Sequence, residues 1–272
     1  MSVVPYLAGA VTAGVAGGVL ATLWAPGRWV TSYIQHFAAG VVIAAVALKV
    51  APDIEHTGAP PLLVMGGFAL GGVVMIGVKW LTMRIEARQQ RTRGKPWGLT
   101  AAAAIDTAID GVIIGAGFAL GQGVGVILSL ALGLELLFLT LSVGSSFRQE
   151  KGSRGTTVAV TSGISLLLMA GAAGGMALLR GASESTLAVM LSFGAAALLY
   201  LVTEELLIET RLPEETLIST AMFFLGFLAI FALVSLGPDW GPDRQKRKRA
   251  GGWPQTKITV TWEAGLLLMR AP

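Results

Sequence analysis

Five carboxylates stand inside stretches apolar enough to cross a lipid bilayer. They are Asp106 and Asp110 in AAAAIDTAIDGVIIGAGFALG, Glu135 in VILSLALGLELLFLTLSVG, and Glu204 and Glu205 in AALLYLVTEELLIE. A carboxylate at membrane depth is costly, so such residues normally turn toward a bundle interior and mark an ion or proton pathway. No Lys or Arg in these stretches neutralises them. Protons and bound cations are the neutralisers that remain, which makes cation handling the chemistry these residues point to.

Spacing sharpens that reading. Asp106 and Asp110 are four residues apart, hence on one face of a helix, about one turn from each other. Leu99 to Ile105 before them and the apolar run after them favour an internal pair over a loop. A late helix start would instead make Asp106 an N-cap. If the next turn centres near Gln122, Asp110 lies 12 residues before it and Glu135 lies 13 after it. At 1.5 Å rise per residue both then sit roughly 18–20 Å from the same surface. Like charges that close cannot all ionise without a counter-cation or retained protons.

The remaining titratable residues are weaker signals. Glu204 and Glu205 come late in their stretch, near the cytoplasmic end, where they are either exit ligands or interfacial acids at a frayed helix end. His36 lies near the same end and is read either as their neighbour or as a locally hydrogen-bonded histidine. Asp53, Glu55 and His56 fall in a loop on the opposite face, as a cation-gathering entrance or a solvated acidic turn. Lys79 is expected to snorkel toward the cytoplasmic surface. Met65, Met75, Met169 and Met176 read as packing. The runs MGGFALGGVVMIG and GAGFALGQGVG carry small-residue spacings that allow close helix approach. They are not phosphate loops, because no strand precedes them. No catalytic motif is present, and an enzyme is not expected.

The elements that must position these acids are transmembrane helices. The chain is 54% hydrophobic and 13% charged, against roughly 25% charged in soluble domains, and its mean hydropathy is +0.70. It has no cysteine, so disulfides and thiolate metal sites are excluded. Eight stretches reach the roughly 20 residues a span requires: 5–25, 29–51, 60–83, 97–121, 124–145, 156–180, 185–208 and 214–236. Breakers separate them, including Pro26-Gly27, Pro52 to Pro61, Gly121-Gln122-Gly123 and Pro213. The first stretch lacks a basic leading region and reads as a retained span.

Arg28, Arg84, Arg88, Arg91, Arg93, Lys95, Arg148, Lys151 and Arg154 all fall in odd-numbered connections, which predicts that face to be cytoplasmic and both termini to be outside. The net charge of +4 therefore reports orientation rather than nucleic-acid binding. RQKRKR at 244–249 runs against this assignment. Residues 237–272 form a polar, turn-rich tail read as disordered, in which KITVTW alternates like a short strand.

Three stretches carry a family resemblance. HFAAGVVIAAVALKVAPDIEH at 36–56, IDTAIDGVIIGAGFALG at 105–121 and FGAAALLYLVTEELLIE at 193–209 resemble the second, fourth and seventh spans of the ZIP (zinc- and iron-regulated-like) family of divalent metal transporters. The resemblance covers about 30–236. It implies eight spans arranged pseudo-symmetrically around the fourth and fifth, with outside termini and a metal site on those two spans. Asp106 stands at the family's His position, Thr107 at its Asn, Ile109 at its Pro and Asp110 at its acid, with Gly111 retained. On the fifth span Glu135 remains, while Leu134, Phe138 and Leu139 replace polar or Gly positions. A two-metal centre is thereby reduced to one carboxylate-rich site.

The expectation is an all-α polytopic membrane protein: a transport domain at 1–236 and a tail at 237–272, in the cell (inner) membrane. Asp106, Thr107, Asp110 and Glu135 would hold a divalent cation, with Glu204, Glu205 and His36 toward the exit. Zinc leads by resemblance, with manganese, iron and magnesium favoured by the oxygen donors. The cation is cargo, so no permanently bound cofactor is expected. Partners are divalent cations and the lipid bilayer, with no nucleic acid, and association as a homodimer stays open. The alternatives are a proton-linked transporter of another substrate and a relative that no longer transports and serves as a sensor or scaffold.

Overall fold

A computed structural model describes residues 3–24, 26–89, 97–150, 152–206 and 217–236, apart from the side chains of Arg28, residues 85–89, Glu205 and Leu206. Most of the third connection, Lys151, the loop carrying Pro213 and the tail with RQKRKR and KITVTW fall outside these residues. Within them the architecture is all-α. Eight helices are long and apolar enough to span a membrane: α1 (Val4–Leu23), α2 (Trp29–His56), α3 (Pro61–Gln89), α4 (Trp97–Leu120), α5 (Gln122–Gln149), α6 (Arg154–Leu178), α7 (Glu184–Glu204) and α8 (Leu217–Leu236). Lipid offers the backbone no hydrogen-bonding partner, so helices that satisfy their own N–H and C=O groups are the form such apolar stretches must take. Two starts are capped by side chains: Ser153 Oγ accepts from the Thr156 N–H at 3.1 Å, and Ser183 Oγ from the Thr186 N–H at 3.2 Å.

The helix boundaries differ most from expectation at two ends: α3 runs on to Gln89, six residues past the expected 83, and α2 overruns its proline. The second span does not break at Pro52 but continues as helix to His56. Val46–Val50 form a π turn, in which the Ala51 N–H reaches back to the Val46 carbonyl. Proline lacks an N–H and crowds the carbonyl four residues earlier; the wider turn just before Pro52 accommodates this. Asp53, Glu55 and His56 are therefore helical rather than part of a loop, and Asp53 pairs with Lys49 at 2.8 Å. A second π turn, Val202–Leu206, ends α7.

Packing sorts the helices into two groups. In one, α1 packs on α5 and α6, and α4 packs on α5 and α6; in the other, α2 packs on α8 and α3 on α7. The groups meet where α4 touches α7 and α2 touches α5. Exchanging α1–α3 with α6–α8 and α4 with α5 leaves these pairings unchanged, and it also exchanges the two helices that carry π turns. The strongest pairs close through backbone. A Cβ added at Gly111 on α4 would lie 2.4 Å from the Leu168 carbonyl oxygen on α6, and one at Gly17 on α1 would lie 2.1 Å from that of Leu137 on α5. Thr140 adds a hydrogen bond from α5 to the Gly14 carbonyl of α1 at 2.7 Å. Bilayer helices lack a hydrophobic drive toward one another, so this close approach supplies the van der Waals contact that holds them together.

Candidate metal centre

The α4–α5 hairpin positions the acids. Gly121 joins the two helices in extended backbone, and at the far end Trp97 of α4 meets the buried Phe147 of α5 edge-on, with ring centroids 5.6 Å apart. Counted from the Gly121 turn, Asp110 lies 11 residues back and Glu135 lies 14 residues on, which brings them to depths within one helical turn of each other. Because α4 begins at Trp97, Asp106 lies well inside the helix and is not its N-cap. One turn from Asp110, it joins the same cluster.

Asp106, Asp110 and Glu135 each contribute a carboxylate oxygen, and these atoms all lie within 4.8 Å of one another. The residues are 6%, 6% and 4% exposed. Oxygens bound on opposite sides of a divalent cation at about 2.0–2.6 Å each stand about 4–5 Å apart, so the cluster is already close to coordinating dimensions. Its donors are hard oxygens, suited to Mg, Mn, Fe(II) or Ca and acceptable to zinc. Thr107 is buried beside them in sequence, and its hydroxyl makes no hydrogen bond among the described residues. That is unusual here, since Thr140, Thr157 and Thr161 all return theirs to the carbonyl four residues back.

A cavity of about 430 Å³ runs from Asp106 and Glu135 toward the end of the bundle where Pro26, Met83 and Gln149 lie. Its α5 wall begins at Glu135, passes the apolar Phe138 and Leu139, and ends on Ser142, Ser145, Ser146 and Gln149. This is the end that carries Arg84, stacked 3.7 Å above Trp80, and Arg148, which donates to the Gly152 carbonyl. Glu204, on the π turn of α7, lines the same cavity, where it is ion-paired with Lys79 of α3. Lys79 thus reaches a carboxylate in the cavity instead of simply snorkelling to the surface. The two residues stand on helices four apart in the chain, α3 and α7, and the stretch that carries Glu204 has no basic residue of its own.

Of the other expected ligands, neither Glu204 nor His36 joins the cluster. His36 donates from Nδ1 to the Ser32 carbonyl at 2.8 Å, the local arrangement, and is not among the residues lining the cavity. The Glu205 side chain lies outside the described residues. Sequence reasoning missed Lys79 as Glu204's partner; the only signal was a lone cation late in an otherwise apolar span. Eight apolar helices around a buried acidic triad fit a membrane transporter. No protein-family model matches the sequence, and comparison with curated proteins finds no match.

Proposed function

We propose that this protein moves a divalent metal cation across the cell membrane toward the cytoplasm. Asp106, Asp110 and Glu135 are its ligands, and the Thr107 hydroxyl is a further donor. The observation that carries this reading is the buried triad itself: three carboxylates within 4.8 Å of one another, a separation at which their mutual repulsion is relieved by a multivalent cation. The cavity supplies the route. By the basic-loop rule its open end is the cytoplasmic one, so this conformation corresponds to the releasing side of an alternating-access cycle. The resemblance to the ZIP family favours zinc, whereas the all-oxygen donor set favours manganese, iron or magnesium.

Flux into proteoliposomes, with zinc, manganese and iron in competition, tests the proposal. Saturable uptake by the wild type that is lost in Asp110→Ala is the expected result. A wild type that moves none of these ions would return the chain to a sensor or scaffold role. Uptake unaffected by Asp110→Ala would shift the site elsewhere.

A further inference from the structure

The transport reading leaves Lys79 unused, although it is the one basic side chain among the described residues lining the cavity. It shares that cavity with Asp106 and Glu135, and its ammonium holds Glu204. Neither partner is fully buried: the side chains are 42% and 33% exposed. An ammonium on a flexible four-carbon stem is a compact, rotatable charge, so the pair can open without disturbing the fold. A purely structural tie between α3 and α7 is not needed here. Those helices already meet through backbone, with Cβ atoms added at Gly67 and Gly71 falling 2.6 and 2.4 Å from the carbonyl oxygens of Val189 and Phe193.

We propose that Lys79 is a tethered counter-cation that governs release, an inference that rests on the transport reading above. Its ammonium occupies Glu204 while the triad holds the metal, and yields that carboxylate when a divalent cation steps outward from Asp106 and Glu135. By returning to Glu204, it displaces the cation into the mouth. Without it, Glu204 would be an open carboxylate in the cavity and would retain the metal. With a tighter partner in its place, Glu204 would be closed to the metal and the step would be lost.

The test is Mn²⁺ binding and release by the full-length purified chain in detergent, with Mn²⁺ as the only divalent ion. The wild type should bind one equivalent, sensitive to Asp110→Asn. Lys79→Gln should bind a second, weaker equivalent, and the neutral double variant Lys79→Gln/Glu204→Gln should bind one again. Lys79→Arg keeps the charge but forms a forked pair that opens less readily. It should keep one equivalent and release Mn²⁺ about tenfold more slowly, a factor that corresponds to about 1.4 kcal/mol. A merely structural lysine would be replaced by arginine without change in release, so wild-type release in Lys79→Arg overturns the inference whether or not Lys79→Gln folds. A single equivalent in well-folded Lys79→Gln, or a second one that survives in the double variant, overturns it too while leaving the triad intact. A wild type with no Mn²⁺ site sensitive to Asp110→Asn overturns both this inference and the transport reading.

Discussion

Replacing Asp110 with asparagine separates a metal site from a structural polar network. At 4.8 Å or less and an effective dielectric near 20, each pair of ionised carboxylates repels by about 3.5 kcal/mol. The empty, fully ionised triad therefore carries about 10 kcal/mol of repulsion over three pairs, and Asp110→Asn leaves one pair, about 3.5 kcal/mol. Retained protons blunt the difference, so these figures are upper bounds, but the sign holds. Without divalent cation, the variant should unfold at the same temperature as the wild type or higher. With cation the order should reverse. The variant loses one charged ligand from a desolvated site, a loss of about 3 kcal/mol or more and hence a hundredfold or more in affinity. Thermal unfolding followed by tryptophan fluorescence, with and without zinc or manganese, reads both effects. If Asp110→Asn instead destabilises the metal-free protein by several degrees and leaves metal stabilisation intact, the triad is a structural network and the reasoning fails.

Protons compete with the cation for the same oxygens, so apparent affinity should rise from pH 5 to pH 8; isotherms that coincide across this range would count against a carboxylate site. Gly111→Ala forces a methyl to 2.4 Å from the Leu168 carbonyl, so α4 and α6 must separate at a cost of about 1–3 kcal/mol. Gly163→Ala, where a Cβ meets open space, is the matched control, and a shared melting temperature would show that the helices are not packed this closely. His36→Gln should keep metal affinity within a few-fold, because the imidazole serves the Ser32 carbonyl; a large loss in an equilibrium binding assay would return it to the ligand set.

Much of this arrangement is legible in the residues. Pro, Gly and charge clusters punctuate the apolar stretches, and the eight spans follow within a few residues of their observed ends. The triad was also within reach, because a short turn between antiparallel helices fixes the depth of Asp110 against Glu135 by counting alone. What counting cannot give is which helices lie side by side when they are not joined by a short turn. Lys79 and Glu204 are 125 residues apart, and neither the spacing nor the hydropathy of α3 or α7 says that these helices touch. Pro52 misled for another reason: a proline in an apolar run usually ends a helix, but a π turn can absorb it, and no residue pattern in Val46–Val50 announces one.

The exchange of helices that leaves the packing pattern unchanged also bears on the symmetry of the acidic cluster. Equivalent helices are five apart in the chain, or one apart for α4 and α5, always an odd number, so in a membrane-spanning bundle each runs in the opposite sense to its counterpart. Asp110 and Glu135, each fourteenth in its helix, are counterparts under that exchange. A site built from them alone would look the same from either side of the membrane. Asp106 has no such counterpart: the tenth residue of α4, it corresponds to Ala131 in α5. With Glu135 it faces the open cavity, while Asp110 is not among the lining residues. One unmatched carboxylate thus makes the two ends of an otherwise symmetric pair unequal, and only one of them opens on the cavity.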